Sequence, residues 1–323
     1  MIEVESISKR WGDVVALDDV SLSVGRGEVC GLIGADGAGK STLFDILVTL
    51  TRADGGSARV GGYEIGREWR EVRRTVGYMP AAFSLYGDLS VRENLEFFAR
   101  IYRKPAGGIE ELVGDIWRQI EPFSRRPAAK LSGGMKQKLA LCCAMIHDPE
   151  VLMLDEPTTG VDPTSRSEFW DALRRLAVER EKTILVSTSY MDEAARCDRV
   201  SLLHRGELLD TLVPGEVAEH YRGTLYEIST EDMKLNARLL GVLRDWSLCR
   251  GCYSFGDRIH LGMALDGMHV ETVLGYLRAQ GFDTGGAVRV RQAGPTVEDL
   301  FIQLTSSAQS AADDEDDLST TCI

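Results

Sequence analysis

The sequence predicts an α/β fold built on a mainly parallel sheet. Short apolar runs alternate with segments of helical periodicity along residues 1–222, an order typical of a sheet covered by helices. A change of pattern near residue 223 indicates a second, smaller domain. The predicted strands of the first domain are Ile2–Ser6, Ser21–Val24, Val29–Ile33, Thr75–Met79, Val151–Asp155, Thr183–Ser187 and Val200–Leu203.

The turn after Val29–Ile33 carries the strongest local signal. Residues 34–42 match the phosphate-binding pattern G-x-x-x-x-G-K-[ST] at every fixed position, between an apolar run and a helical segment. The backbone N–H groups of such a loop, and the N-terminus of the helix that follows, bind phosphate oxygens. We expect Lys40 to contact the β- and γ-phosphates and the Ser41 hydroxyl to bind Mg²⁺. The predicted phosphate-loop residues are Gly34, Ala35, Asp36, Gly37, Ala38, Gly39, Lys40, Ser41 and Thr42.

Two carboxylates follow another apolar run. Val151–Leu154 predicts a buried strand that ends at Asp155 and Glu156. At the carboxyl end of a strand, Asp155 is placed to hold Mg²⁺ opposite Ser41. Glu156 is placed to orient or deprotonate an attacking water. The alternative is a solvated acidic turn, which the phosphate loop in the same chain disfavours.

Composition limits the classes of function. The chain has 323 residues, enough for about two domains, and a net charge of −13, which argues against non-specific binding to nucleic acid. No apolar run approaches the ~18 residues of a membrane-spanning helix, and the first residues lack the apolar core of a signal peptide. We therefore expect a cytoplasmic protein whose link to a membrane runs through a partner.

The cysteines predict no disulfide and no metal site. Cys142 and Cys143 lie in an apolar helical pattern that predicts a buried position. Cys249 and Cys252 form a lone C-x-x-C pair, whereas a structural zinc site needs four ligands. All seven cysteines are expected to be reduced thiols.

The pattern of elements divides the chain into three parts. Residues 1–222 predict the nucleotide-binding domain, with an inserted helical subdomain over about 80–149 that contains a capping box at Ser90 and Glu93. Residues 223–304 alternate short strands and helices, which suggests a small α+β domain of ferredoxin-like order. Residues 305–323 contain a run of five acidic residues in a Ser-, Thr- and Ala-rich tail and are expected to be disordered.

The run Leu131-Ser132-Gly133-Gly134 with a basic, Gln-bearing helix behind it resembles the signature motif of ATP-binding-cassette (ABC) transporters. Ser132 and the N–H groups of Gly133 and Gly134 lie at a predicted helix N-terminus, which is a natural anion site. The resemblance implies that this site closes over ATP bound by another subunit in a head-to-tail dimer, either with itself or with a second ABC ATPase. It also implies an α/β P-loop NTPase core of the ABC ATPase type, with MgATP as ligand and membrane-embedded permease subunits as partners.

Other residues extend the resemblance to about 1–304. Trp11 occupies the place of the aromatic residue that stacks on adenine, the alternative being a core tryptophan. Asp162, in Gly160-Val161-Asp162-Pro163, resembles the residue that crosses the dimer interface. Leu131 to Pro163 is similar to ATP-binding subunits of bacterial drug- and polysaccharide-type exporters, and Thr296–Phe301 resembles the end of their accessory domain.

Two positions depart from the family pattern. A Gln that contacts Mg²⁺ and the attacking water is replaced by Ala81, and a His that contacts the γ-phosphate and Glu156 is replaced by Ser189. Asp36 stands where the family usually has Asn, a milder change. Because removing one such polar group commonly costs about 10²–10³ in rate, we expect ATP binding with slow turnover. In that case the intact signature completes the site of a partner ATPase.

Three alternatives remain open from the sequence alone. In the first, Ser189 and a bound water suffice and the protein is an ordinary homodimeric transport ATPase. In the second, the chain is a regulatory module that binds ATP without hydrolysing it. A soluble ABC protein of translation or repair is the third, although the chain has one cassette and lacks heptad repeats. If the chain serves transport, the resemblance places permease docking near Phe83–Tyr86 and Leu95–Tyr102.

Overall fold

The computed structural model describes residues 1–104, 108–230, 232–264, 268–284, 286 and 288–306. The chain divides into two compact units, Met1–Val213 and Pro214–Ile323. This boundary precedes the one expected at residue 222, because the short helix Val217–His220 groups with the second unit. The predicted tail begins at residues 305 and 306, which still belong to a helix; from residue 307 on it lies outside the described residues.

The first unit contains ten strands and six α-helices among the described residues. The strands are β1 (Ile2–Trp11), β2 (Val14–Val24), β3 (Val29–Ile33), β4 (Gly55–Val60), β5 (Tyr63–Glu64), β6 (Val76–Met79), β7 (Val151–Asp155), β8 (Thr183–Thr188), β9 (Arg199–His204) and β10 (Glu207–Leu212). The helices are α1 (Lys40–Leu47), α2 (Trp69–Thr75), α3 (Val91–Ile101), α4 (Ile109–Ile120), α5 (Gly133–Met145) and α6 (Pro163–Arg180).

The predicted parallel sheet is the centre of this unit. Six strands pair in the order β10-β9-β3-β8-β7-β6, and every neighbouring pair is parallel except β10 with β9. β3, β7 and β8 are buried along their whole length, which explains why each is a continuous apolar run. Parallel strands bring their carboxyl ends to one edge of the sheet, so the turns after these three strands meet there.

A second sheet corrects the grouping of the first strands. Ile2–Ser6 and Ser21–Val24 were expected among the strands of the mainly parallel sheet, but β1 and β2 belong to a separate four-stranded sheet, β2-β1-β4-β5, in which all pairs are antiparallel. Buried and exposed residues alternate through much of these strands, as is typical of a sheet with one covered face. β4, β5 and β10 were not predicted.

The helical insert contains α3, α4 and α5. The capping box at the start of α3 is confirmed: Ser90 Oγ accepts from Glu93 N, and Glu93 Oε2 accepts from Ser90 N. Asn94 is fully buried, and its amide donates to the carbonyls of Tyr86, Leu89 and Ser90. This side chain therefore fixes the loop that leads into α3.

The second unit confirms the ferredoxin-like order. Its elements are α7 (Val217–His220), β11 (Thr224–Thr230), α8 (Met233–Arg244), β12 (Cys249–Phe255), β13 (Arg258–Met263), α9 (Val270–Ala279) and β14 (Val288–Ala293). After α7 they run strand, helix, strand, strand, helix, strand, and the four strands form an antiparallel sheet in the order β12-β13-β11-β14. One face of this sheet packs on α8 and α9 around Tyr226, Ile228 and Leu239.

Two further expectations concern helices and thiols. Among the described residues, no helix combines the length and apolar character required to cross a bilayer. The six cysteines of the described chain are free, and Cys142 and Cys143 are buried as predicted. The seventh cysteine, Cys322, lies outside the described residues.

Candidate nucleotide site

The phosphate loop joins β3 to α1 through two glycines that no larger residue can replace without a shift. A Cβ on Gly34 would lie 2.2 Å from the Leu203 carbonyl oxygen. A Cβ on Gly39 would lie 2.4 Å from the Ala16 carbonyl oxygen, and Gly39 has a φ of 109°. The loop is thus pressed against the backbone of neighbouring segments, which fixes its curvature.

The backbone N–H groups of the first turn of α1 face the phosphate loop. Its N-cap, Gly39, has no side chain, so no side-chain oxygen caps the first N–H groups of the helix. These groups, together with the helix dipole, favour an anion at this end. The loop therefore has the donor set expected for phosphate.

Lys40 is almost completely buried at the start of α1. Its ammonium donates to the carbonyls of Gly34 at 2.7 Å and Ala35 at 3.1 Å. It also lies 3.0 Å from Oε1 of Glu156, with which it forms an ion pair. All three donors of the ammonium are thus satisfied within the protein.

Asp155 lies buried at the end of β7, where the Ser187 hydroxyl donates to its Oδ1. Asp45, one turn after Ser41 on α1, accepts from the Tyr78 hydroxyl at 3.4 Å. Burial raises the pKa of the Asp45 carboxyl, the hydrogen bond from Tyr78 opposes this shift, and the charge of Asp155 adds to it.

A hydroxyl and a carboxylate oxygen are the ligand types that Mg²⁺ prefers, so Ser41 and Asp155 fit this ion by chemistry. In the part of the chain that is described, no three His, Cys, Asp or Glu side chains cluster closely enough to form a metal site by themselves. Mg²⁺ usually binds through one or two protein groups, water and the phosphates of a nucleotide.

Glu156 begins the turn after β7, with a positive φ of 49°. Its backbone N–H donates to the Ser187 hydroxyl at 2.9 Å. Its Oε2 accepts from Thr159 Oγ1 at 2.9 Å and from Ser189 Oγ at 3.4 Å. The carboxylate is therefore held between Lys40 on one side and two hydroxyls on the other, at the edge of the sheet where a general base would be needed.

The signature residues lie at the start of α5. Ser132 is the N-cap, and its hydroxyl accepts from Met135 N at 3.4 Å. A Cβ on Gly134 would lie 2.7 Å from the Ser165 side chain, and one on Gly133 would lie 3.1 Å from the Gly160 carbonyl oxygen. The signature therefore packs on residues 160–165, which include Asp162.

Asp162 caps the next helix. It is the N-cap of α6, and its carboxylate accepts from Ser165 N at 3.0 Å. This hydrogen bond from the backbone lowers the pKa of the Asp162 carboxyl. The fold thus brings Asp162 and the signature together in one cluster, while Lys40, Glu156 and Ser189 form another.

Comparisons with known proteins show the family to which the chain belongs. A family model described as ABC transporter matches residues 17–159. Nod factor export ATP-binding protein I of Rhizobium meliloti is 34% identical over 316 residues, which cover 94% of this chain and 88% of that protein. The chain belongs to the ABC transporter ATP-binding proteins.

Other ABC relatives match over part of their length. A probable multidrug ABC transporter ATP-binding protein of Escherichia coli is 40% identical over 251 residues, and the match covers 76% of this chain but only 42% of that protein. The solved structure of an ATP-binding subunit of an ABC transporter has a TM-score of 0.61 at 28% identity, covering 68% of this chain and 92% of the other. A dimeric ATP-binding cassette in a post-hydrolysis state, bound to ADP and Pi, has a TM-score of 0.60 at 25% identity, covering 66% of this chain and 98% of the other.

Two positions that the comparison with the ABC pattern identified lie on the surface: Ala81, which departs from the pattern, and Trp11, which matches it. Ala81 is exposed after β6 and offers no hydrogen-bonding side chain. Trp11, at the end of β1, is 52% exposed, so the alternative that it is a core tryptophan is wrong. The Lys9 ammonium lies 4.9 Å from the centre of the Trp11 ring. The Trp11 ring is thus half exposed and has a lysine over one face.

Apart from Ser189, the hydroxyls that surround this ABC site were not predicted from the sequence. Ser187 binds Asp155 and the backbone of Glu156, and Thr159 binds the Glu156 carboxylate. The only sequence signal for them is that hydroxyl residues occur in succession after β7, in Thr158-Thr159, and at the end of β8, in Ser187-Thr188-Ser189. Glu193, which binds two of these residues, had no signal at all.

Proposed function

We propose that this chain is the ATP-binding subunit of an ABC exporter, peripheral on the inner face of the cell membrane through permease subunits. The observation that carries the proposal is the cluster of Lys40, Glu156 and the phosphate loop, in which the phosphate-binding lysine and the candidate base touch. Export is supported by the relatives, named for Nod factor export and for multidrug transport. Nucleic acid is not a partner in this proposal, because the net charge is −13.

We propose the following division of the chain into domains. Residues 1–222 form the nucleotide-binding domain with its helical subdomain near 80–149, and residues 223–304 form the accessory domain. MgATP binds to the phosphate-loop residues 34–42, with Trp11 stacked on adenine and with Ser41 and Asp155 as the metal ligands. Once bound, the metal would neutralise charge that develops on the phosphates.

The protein's own residues have separate roles in hydrolysis. Lys40 and the loop N–H groups hold the β- and γ-phosphates. Glu156 takes a proton from water as the water oxygen bonds to the γ-phosphorus and the bond from that phosphorus to the β,γ-bridging oxygen breaks, so that ADP and phosphate leave. Ser189 and Thr159 hold the Glu156 carboxylate during this step.

Dimerisation completes the site. In our proposal, Ser132, Gly133, Gly134 and Asp162 of one subunit close over ATP held by the phosphate loop of the other. Support comes from their clustering at one helix N-terminus and from the similarity to a cassette solved as a dimer. The second subunit is either a copy of this chain or a related ABC ATPase.

We further propose that the chain's own site turns ATP over slowly. Ala81 supplies no polar group, and Ser189 reaches Glu156 only through a 3.4 Å contact. A hydroxyl at this distance is a weak substitute for a side chain that spans from the base to the γ-phosphate. The intact signature then serves mainly to complete the site of a partner.

Steady-state ATPase measurements on the purified chain test the proposal, with Glu156→Gln as the inactive control. We expect ATP binding in the micromolar range with turnover below about 0.1 s⁻¹, well under a typical enzyme's ~10 s⁻¹. Addition of a catalytically complete ABC partner should raise turnover, and Ser132→Arg in this chain should abolish that rise. Fast, Glu156-dependent turnover by the chain alone would overturn the slow-site proposal, and absence of ATP binding would overturn the function.

Permease docking is assigned to an aromatic surface on the helical insert. Tyr86 and Phe83 are half exposed, and the Tyr86 ring packs edge-on against Phe97 at 4.7 Å. The Lys136 ammonium, on the signature helix, lies 5.3 Å from the centre of the Phe83 ring. A partner that contacts Phe83 would therefore also affect Lys136, and through it α5, the helix that begins at the signature.

The variant Tyr86→Ala tests this docking site. It should keep ATP binding and lose copurification with the permease; retained copurification would count against the site.

A further inference from the structure

Glu193 is a buried carboxylate that the proposed chemistry does not use. It lies in the turn after β8 and is 2% exposed. Burial of a charge is costly unless hydrogen bonds or an opposite charge offset it. The hydrogen bonds and the ion pair of Glu193 therefore show which parts of the fold this buried charge holds together.

Each carboxylate oxygen of Glu193 accepts a hydrogen bond from a different segment. Oε1 accepts from Thr158 Oγ1 at 2.7 Å, in the turn after β7. Oε2 accepts from Thr188 Oγ1 at 2.7 Å, at the end of β8. The guanidinium Nε of Arg166 lies 3.8 Å from Oε1 and supplies a compensating charge. Glu193 is thus a bridge between the two turns that carry Glu156 and Ser189.

Thr188 links this bridge to the backbone around Ser189. Its hydroxyl donates to Glu193 and accepts from the N–H of Tyr190 at 3.0 Å, so the residues on both sides of Ser189 are fixed. On the other turn, Thr158 lies next to Thr159, which binds Glu156. The contact between Ser189 and Glu156 is 3.4 Å, at the outer limit of a hydrogen bond, so a small shift of either turn would break it.

We propose that Glu193 is a positioning residue that holds the turn of Ser189 against the turn of Glu156. This inference rests on the proposed function, since it takes Glu156 as the base. Glu193 does not touch the reacting atoms; it acts through the backbone on the hydroxyl that orients the base. In a site without the usual imidazole, the Ser189 hydroxyl, together with that of Thr159, sets the orientation of the Glu156 carboxylate.

The substitution Glu193→Gln separates this role from simple packing. The amide has the same shape, but its nitrogen donates and cannot accept, so only one of the two threonine hydroxyls keeps its acceptor. Thr158→Val is a second variant, which removes one hydroxyl of the bridge and leaves the carboxylate intact. Glu227→Gln is the matched control, because Glu227 is also a buried carboxylate bound by two other side chains but lies in the second unit.

The first test is a double-mutant cycle on single-turnover hydrolysis with protein in excess over MgATP. Glu193→Gln should lower the rate about five- to tenfold, the equivalent of one lost hydrogen bond, with ATP affinity unchanged. In a Ser189→Ala background it should lower the rate no further, since the hydroxyl it positions is gone. An equal loss in both backgrounds, or a loss of ATP affinity, would overturn the positioning role.

A second measurement needs no hydrolysis. Hydrogen exchange at the amides of Glu156 and Tyr190 should accelerate in Glu193→Gln and in Thr158→Val, but not in Glu227→Gln. If the wild-type chain binds ATP and does not hydrolyse it, the catalytic assignment fails while this exchange difference still supports the bridge. Unchanged exchange at both amides would overturn the bridge, whatever the rate of hydrolysis.

Discussion

Lys40 Nζ lies 3.0 Å from Glu156 Oε1, so the lysine expected to bind phosphate is paired with the carboxylate expected to activate water. The same ammonium donates to the carbonyls of Gly34 and Ala35. A phosphate that binds to Lys40 must therefore take the place of one of these three acceptors. We expect Glu156 to be the one that leaves, because its carboxylate and the phosphate carry like charges. Thr159 and Ser189 would still hold Oε2.

This competition predicts that Glu156→Gln binds ATP about three- to tenfold more tightly than the wild type. The amide is neutral, so ATP has a weaker competitor for the Lys40 ammonium, and the negative charge near the γ-phosphate disappears. Titration with a fluorescent ATP analogue in the absence of hydrolysis measures the dissociation constant.

The control for this prediction is Glu168→Gln. Glu168, on α6, pairs with Lys138 of α5 at 2.6 Å and has no contact with Lys40, so this variant removes the same charge and should leave ATP affinity within about twofold. Weaker ATP binding by Glu156→Gln would show that the ion pair with Lys40 is not in competition with the phosphate.

A second prediction concerns Ser189→His. An imidazole at this position reaches farther than a hydroxyl and can contact both Glu156 and the γ-phosphate, so we expect hydrolysis to rise about ten- to a hundredfold. Steady-state phosphate release measures the change. Ser57→His, on the exposed part of β4, should have no effect. If a gain in Ser189→His persists when Glu156 is also replaced by Gln, the imidazole does not act through the base.

The two loop glycines Gly34 and Gly37 predict opposite outcomes for the same substitution. Gly34→Ala places a Cβ 2.2 Å from the Leu203 carbonyl oxygen, so we expect ATP binding to be lost and stability to fall by about 2–4 kcal/mol. Gly37 has a φ of 79°, but a Cβ added there would have no atom within 4 Å, so Gly37→Ala should cost about 1–2 kcal/mol and keep ATP binding. Thermal melting and nucleotide titration distinguish the two, and equal behaviour would contradict the role of the Leu203 contact.

The sequence predicted those elements whose signals are local. β3, β7 and β8 are continuous apolar runs because both faces of the parallel sheet are covered, and the phosphate loop has glycines and a lysine at fixed spacing. The separate antiparallel sheet was not predicted. Its hairpin of β1 and β2 is local, but the pairing of β1 with β4 joins residues far apart in the chain. Ile2, for example, pairs with Val60. No window of the sequence contains both partners.

The same distinction explains what was missed at the site. Lys40, Asp155 and Glu156 belong to motifs that the sequence shows directly, and Ser189 was found through the resemblance to the ABC family. Ser187 was not predicted, because the hydroxyl run Ser187-Thr188-Ser189 does not show which partner each hydroxyl binds, and the bond from Ser187 to Asp155 joins residues 32 positions apart. Hydroxyls that support a site become visible only when the turns are brought together in the fold.

The last prediction concerns pH and the buried His147. Burial lowers the pKa of His147 to about 4, although its Nε2 donates to the Val76 carbonyl at 3.1 Å and its ring stacks on Tyr102. Nδ1 is buried with no hydrogen-bond partner among the described residues, so a proton added there has no acceptor. An unfolded histidine has a pKa near 6.5, so between about pH 6.5 and 4 the unfolded chain takes up a proton that the folded chain does not. The free energy of unfolding should therefore fall by about 1–3 kcal/mol across this range.

Urea unfolding at several pH values measures this fall, and His147→Gln should remove the share of the fall that His147 causes. Parallel pH profiles for the wild type and the variant would contradict the assignment to His147.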